Sequence, residues 1–163
     1  MRQIGLAVAI GIVAIVAIVA YAQTRGATGV SDGGRTVVGT TIDGAAFDLA
    51  TTRGKPTVVN FFASWCPPCN TEAPDLVAFS AAHPEVAVVG VAVNDQRDDT
   101  KAFVEKYGVT YPVVYDPEGG TGDAWGVSGI PTTFFLDAEG EVVDTVVGAA
   151  TLERFEAGLR KAK

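Results

Sequence analysis

Cysteine, histidine and basic residues are scarce in this chain. It has two cysteines and one histidine in 163 residues, whereas a structural zinc site needs about four ligands. We therefore expect no metal site. No cysteine lies directly after the apolar N-terminal segment, which argues against a lipoprotein. Twelve Lys and Arg against 19 Asp and Glu give a formal net charge of −7, which argues against nucleic acid as a partner.

The N-terminal segment is the one long apolar run. Residues 4–20 carry no charged or polar side chain, and a helix extended to residue 22 is about 28 Å long, close to a bilayer core. Residues 1–22 are therefore predicted to be a transmembrane signal anchor. A cleaved signal peptide is the alternative, because Ala20-Tyr21-Ala22 fits a small-x-small cleavage site. Either way, the rest of the chain is delivered outside the cytoplasmic membrane.

The remainder divides into a linker and one domain. Residues 23–35 are rich in Gly, Ser and Thr and predict a flexible linker. Residues 36–163 are enough for one α/β domain with its own core. Asp43-Gly44 lies between two β-type runs and predicts an N-terminal β-hairpin. Strands and helices then alternate, which predicts a central mixed sheet flanked by helices.

The individual elements follow from local patterns. Strands are predicted at residues 56–62, 86–93, 112–115 and 132–137, and again from residue 141 to residue 148. Helices are predicted at residues 66–82, 98–107 and from Thr151 to about residue 161. Pro74 is expected to kink the first helix. Residues 116–122 are predicted to be rich in turns.

Cys66 and Cys69 lie three positions apart, directly after the apolar run at residues 56–62. A strand that turns into a helix beginning with Cys-x-x-Cys is typical of a dithiol redox site, because the helix N-terminus favours the thiolate. A structural disulfide is the plainer alternative, but so short a loop constrains the unfolded chain little.

Three motifs resemble those of one family: Trp65-Cys66-Pro67-Pro68-Cys69, the helix proline Pro74, and Gly129-Ile130-Pro131-Thr132. With them the chain resembles the thioredoxin superfamily, and within it the membrane-anchored TlpA/ResA/CcmG-like thiol–disulfide oxidoreductases. The resemblance implies a thioredoxin-like fold with a strand–helix insertion between residues 93 and 131. It also implies a cis peptide bond at Ile130–Pro131, facing the dithiol.

The resemblance implies roles for further residues. Glu72 matches the family's acidic residue three positions after the second cysteine. Asn60 stands where true thioredoxins have a buried aspartate, so Glu72 becomes the candidate for proton transfer to or from Cys69. An ordinary helix-end acid is the alternative for Glu72. The expected catalytic residues are Cys66, Cys69 and Glu72, and the expected substrate-binding residues are Trp65, Pro67, Pro68, Ile130 and Pro131.

The implied function is reduction of disulfides in extracytoplasmic clients, such as apocytochrome c or oxidase assembly factors. Electrons would come from a membrane thiol donor of the CcdA/DsbD type, with no cofactor beyond the Cys66–Cys69 disulfide. Pro67 and Pro68 lack N–H groups that could stabilise the Cys66 thiolate, which favours the reducing direction. The alternatives are an oxidising or isomerising exchange protein, a thioredoxin-fold copper chaperone and a thiol peroxidase.

Several polar and aromatic residues are expected to have no role in the chemistry. Trp125 is predicted to pack in the core, and His83 to lie on the surface. Asp95, Asp98 and Asp99 are predicted to form a solvated face with helix-capping residues rather than a cation site.

Overall fold

The computed structural model describes residues 35–163. The predicted anchor and the predicted linker up to residue 34 lie outside the described residues. Within residues 35–163 no helix is long and apolar enough to cross a bilayer.

The described chain alternates strands and helices. The strands are β1 (Val38–Thr40), β2 (Ala46–Asp48), β3 (Thr57–Phe62), β4 (Ala87–Val93), β5 (Val113–Asp116), β6 (Thr132–Leu136) and β7 (Val142–Val147). The helices are α1 (Pro67–Ala82), α2 (Arg97–Tyr107), α3 (Gly120–Trp125) and α4 (Leu152–Ala162), and a short 3₁₀ helix spans Leu49–Thr52. The predicted α/β class is confirmed.

Five strands form one mixed sheet in the order β5-β4-β3-β6-β7. Strand β3 is central, parallel to β4 and antiparallel to β6. All six of its residues are buried, as an apolar central strand requires. Because Phe61 of β3 pairs with Thr132 at the start of β6, the segment that follows β3 lies beside the segment that precedes β6. This topology brings the Cys-x-x-Cys motif next to Pro131.

The two faces of β3 are packed differently. Val59 and Phe61 face a core with Trp125 and Phe134. Val58 faces a core that includes Leu76 of α1 and Phe155 of α4. Residues two apart on a strand share a face, so Asn60 points toward α1 and α4. The predicted core position of Trp125 is confirmed, since that side chain is 1% exposed.

The hairpin of β1 and β2 is antiparallel, and Gly44 in its turn has a φ of 95° that favours glycine. The Ile42 amide donates to the Val113 carbonyl at 2.8 Å, which attaches the hairpin to the edge strand β5. The segment between β4 and β6 holds α2, β5 and α3, and β5 pairs parallel to β4. The predicted hairpin and insertion are thus both present.

Two local predictions hold only in part. Residues 116–122, predicted to be rich in turns, form a turn at Pro117 and Glu118. They also contain the start of α3, because the Asp116 carboxylate accepts hydrogen bonds from the amides of Thr121 and Gly122. His83, predicted to lie on the surface, is half-buried: its ring packs against Phe79 and its Nε2 lies 2.8 Å from Glu156 Oε1. The hydrogen bond with Glu156 raises the pKa of His83.

Candidate active site

Cys66 and Cys69 form a disulfide at the N-terminus of α1, with their Cα atoms 5.3 Å apart. Cys66 is the N-cap residue of the helix, and its Sγ accepts a hydrogen bond from the Cys69 amide at 3.3 Å. Pro67 and Pro68 occupy the first two helical positions and carry no N–H. Both proline rings are exposed, so they form the surface beside the disulfide.

The peptide bond between Ile130 and Pro131 is cis, as the resemblance implied. The Ile130 carbonyl oxygen lies 3.6 Å from Cys66 Sγ. Pro131 is buried, whereas Ile130 is half-buried. The structure therefore brings all the sequence-predicted residues except Glu72 together, in the short turn at the start of α1 and in the loop that faces it.

Both cysteines are buried, with 2% of Cys66 and 1% of Cys69 exposed. The position of Cys66 at the start of the helix predicts that it is the more exposed of the two. In the disulfide form this difference in exposure is absent, because Cys66 Sγ lies beneath the Ile130 carbonyl. In the disulfide form, exposure therefore does not distinguish the two sulfurs.

Trp65 is the exposed aromatic of the site, with 60% of its side chain accessible. Its Nε1–H donates to the Asn94 carbonyl at 3.0 Å. A cleft of about 170 Å³ lies on one side of the indole and includes Asn94, Asp123 and Ile130 among its lining residues. Trp65 therefore forms one wall of a depression that reaches the loop facing the disulfide.

Glu72 is buried, with 2% exposed, rather than placed on the surface as an ordinary helix-end acid would be. Asn60 Nδ2 donates to Glu72 Oε1 at 2.7 Å, and the Ala150 amide donates to Oε2 at 2.8 Å. Burial raises the pKa of Glu72 to about 6, while these two hydrogen bonds oppose that shift. The carboxyl group is thus poised to change protonation near neutral pH.

Asn60 is the partner that the sequence analysis did not assign. Its amide also donates to Thr133 Oγ1 at 2.9 Å, so the side chain links β3, β6 and α1. Asn60 therefore helps to hold the buried Glu72 carboxylate in place. A lone amide in an otherwise apolar central strand was the available signal.

Asp95 was also misassigned. It was predicted to lie on a solvated face, but it is 2% exposed. Its carboxylate accepts hydrogen bonds from Ser64 and Thr100. No group of three or more His, Cys, Asp or Glu residues that could hold a metal ion occurs between residues 35 and 163.

Comparisons with known proteins agree with this geometry. The Redoxin family model matches residues 31–159. The chain is 32% identical over 124 residues to the thiol-disulfide oxidoreductase ResA of Bacillus thuringiensis, covering 75% of this chain and 72% of that protein. It is 33% identical to ResA of Oceanobacillus iheyensis, covering 71% of this chain but only 61% of that protein.

A solved structure gives the same fold. It is a secreted disulfide oxidoreductase of Mycobacterium tuberculosis described as homologous to DsbE of Escherichia coli. The likeness has a TM-score of 0.74 at 32% identity and covers 80% of this chain and 98% of that one. The chain therefore belongs to the Redoxin family, and within it to the ResA-like thiol–disulfide oxidoreductases of thioredoxin-like fold.

Proposed function

We propose that this protein reduces disulfides in client proteins outside the cytoplasmic membrane through the Cys66–Cys69 dithiol. One observation supports this most: the disulfide begins helix α1 and lies against the loop before β6, with Cys66 Sγ 3.6 Å from the Ile130 carbonyl. A client chain can approach across the exposed surface of Trp65, Pro67 and Pro68.

The exchange has two steps. In the reduced protein, the Cys66 thiolate attacks one sulfur of a client disulfide, which forms a mixed disulfide and releases the other client sulfur as a thiolate. Cys69, once deprotonated, attacks Cys66 Sγ. The Cys66–Cys69 disulfide forms and the second client sulfur leaves as a thiolate. Two electrons pass to the client, and its two thiolates take up protons.

The two prolines at the N-terminus of α1 support the reducing direction. A thiolate at Cys66 is stabilised by backbone N–H donors, and strong stabilisation makes a disulfide more oxidising. Cys69 supplies an amide at 3.3 Å, while the two prolines between the cysteines supply none. With fewer donors in the first turn, the reduced form is stabilised less and the dithiol gives up its electrons more readily.

Glu72 is proposed as the base that deprotonates Cys69. It follows Cys69 by three helical positions, so the two side chains share one face of α1. Its pKa of about 6 leaves the carboxyl largely ionised at pH 7. A pKa near the working pH is also what an efficient general base needs. Asn60 and the Ala150 amide hold the carboxylate in place from two sides.

Insulin reduction tests the proposal. The wild-type protein, with dithiothreitol as electron source, is expected to speed insulin precipitation at least tenfold over dithiothreitol alone. Cys66→Ser is expected to abolish this acceleration. Equilibration with glutathione then gives the direction: a reductant is expected to be mostly reduced only in a large excess of reduced glutathione. A dithiol more oxidising than the glutathione couple would contradict the reducing role.

The proposed location is the outer side of the cytoplasmic membrane, with residues 1–22 as an uncleaved anchor. The uncharged run at residues 4–20 supports the anchor, and the secreted state of the similar M. tuberculosis protein supports export across the membrane. The electron donor proposed is a membrane thiol carrier of the CcdA/DsbD type, since a tethered domain meets such a carrier at the membrane surface.

The full-length protein is expected to sediment with membranes and to resist extraction by carbonate. Peptide mapping is expected to recover the N-terminus at Met1 or Arg2. An N-terminus at Gln23 would instead identify residues 1–22 as a cleaved signal peptide.

A further inference from the structure

Asp95 is a buried carboxylate directly behind the redox loop, defined here as residues 63–66. It lies between β4, which ends at Val93, and α2, which begins at Arg97. Its Oδ2 accepts from the Ser64 amide at 2.7 Å and from Thr100 Oγ1 at 2.9 Å. Its Oδ1 accepts from Ser64 Oγ at 2.7 Å and from the Gln96 amide at 2.9 Å. The Asp95 carboxylate is therefore the acceptor in all four of these hydrogen bonds.

The pattern of donors requires a carboxylate. Each oxygen accepts one backbone N–H and one hydroxyl hydrogen. A hydroxyl can rotate to accept instead, but a backbone N–H cannot. An asparagine amide at this position would therefore place its NH₂ group against a backbone N–H in either orientation. The site is built for Asp95 as a negatively charged acceptor.

The same short segment holds the tryptophan of the site. The Asn94 carbonyl accepts from Trp65 Nε1 at 3.0 Å, and Tyr115 Oη donates to the Asp95 carbonyl at 3.0 Å. Ser64 and Trp65 immediately precede Cys66. The Asp95 side chain thus holds Ser64, and the Asn94 backbone carbonyl holds Trp65. These are the two residues before Cys66.

We propose that Asp95 is a positioning residue that sets the redox loop and the Trp65 indole for capture of a protein client. The inference rests on the proposed function, since it assumes that clients meet the protein at this surface. It assigns to Asp95 a part in client recognition through Ser64 and Trp65, without contact to the sulfur atoms that react.

This role predicts that the effect of losing Asp95 depends on the size of the substrate. A protein client must align its disulfide with Cys66 while its chain contacts the indole and the loop at Ile130. A small disulfide needs only the thiolate. Misplacing a reacting group by about 1 Å can cost up to about a hundredfold in rate, so loosening the redox loop should slow the protein client and spare the small molecule.

The test compares Asp95→Asn with wild type in two reactions of the reduced protein: reduction of insulin and reaction with dithiodipyridine. The variant is expected to reduce insulin at least tenfold more slowly and to react with dithiodipyridine within twofold of wild type. Acrylamide quenching of tryptophan fluorescence is expected to increase. Trp125, the other tryptophan, is 1% exposed, so the quenching reports on Trp65.

Asp144→Asn is the matched control. Asp144 also lies in the sheet region and is held by Arg154 and Lys161, but on β7, away from the redox loop. It is expected to leave both rates and the quenching unchanged. Equal slowing of both reactions in Asp95→Asn would overturn the positioning role, as would a wild-type rate with insulin in the folded variant.

If Asp95→Asn does not fold, Ser64→Ala decides by the same criteria. It removes one hydroxyl bond to Asp95 and keeps the charge and the backbone bond, so at least a threefold loss with insulin alone is expected. An unchanged insulin rate in Ser64→Ala would overturn the inference. Failure of the proposed function is distinguishable, because the wild type would then show no insulin reduction at all.

Discussion

Replacing Cys69 with serine is expected to turn the protein into a trap for its client. The Cys66 thiolate still attacks the client disulfide and forms the mixed disulfide, but serine at position 69 cannot resolve it, because a hydroxyl is a far weaker nucleophile than a thiolate. The mixed disulfide should accumulate to a large fraction of the protein, whereas in the wild type Cys69 resolves it and releases the client. Non-reducing electrophoresis followed by mass spectrometry would measure the complex and identify the client.

Cys66→Ser is the matched control. Its remaining sulfur, Cys69, lies further into the helix than the N-cap residue Cys66, so it should capture little client. Cells carrying the double replacement should show no complex. A complex that forms in Cys66→Ser and not in Cys69→Ser would reverse the roles of the two cysteines.

The order of the elements could be predicted from the sequence because local patterns determine it. Strand β3 is short, β-branched and aromatic, and it was predicted within one residue of its observed start. Helix α4 begins where Thr151 was expected to cap it, with its hydroxyl accepting from the Arg154 amide. The helix predicted from residue 66 likewise begins at Pro67, with Cys66 as its N-cap.

The polar partnerships could not be predicted, because they join residues that are distant in the sequence. Glu72 meets the Ala150 amide across 78 positions, and Ser64 meets Asp95 across 31. A carboxylate after a strand is usually solvated, so burial of Asp95 is visible only once β4 and the redox loop are adjacent. Family resemblance pointed to Glu72, but only the fold shows Asn60 donating to it.

Glu72→Gln is expected to slow client reduction by about a hundredfold at pH 7, the lower end of what a general base contributes. In the wild type the resolving step needs Glu72 ionised. Its rate should therefore fall as pH drops through about 6, the raised pKa of this buried carboxyl. In the variant that dependence should disappear. Stopped-flow tryptophan fluorescence between pH 5 and pH 8 would measure both.

Glu72→Gln is also expected to change the pKa of the two thiols. A carboxylate near the dithiol opposes a second negative charge, so it raises the pKa of the cysteines. Removing it should shift the pH profile of thiol alkylation to lower pH. A faster alkylation at neutral pH together with a slower client reduction would separate loss of the base from general damage to the site, which would slow both.

Folding stability gives an independent check on Glu72, and its sign is fixed by burial. The pKa of Glu72 rises from 4.5 to about 6 in the folded protein, so the folded state binds this proton more tightly than the unfolded state. The contribution of Glu72 to stability is therefore greatest below pH 4.5 and decreases as pH rises to about 6, by about 2 kcal/mol. Urea unfolding at these pH values would detect that decrease. Asp75→Asn changes an acid on the same helix and leaves Glu72 in place. Because the charge on Asp75 contributes to the raised pKa of Glu72, this variant should retain the pH dependence, moved to slightly lower pH, and most of the neutral-pH rate. If Glu72→Gln keeps the wild-type rate and pH profile while losing only the stability change, Glu72 is a buried structural acid and the two cysteines act without it.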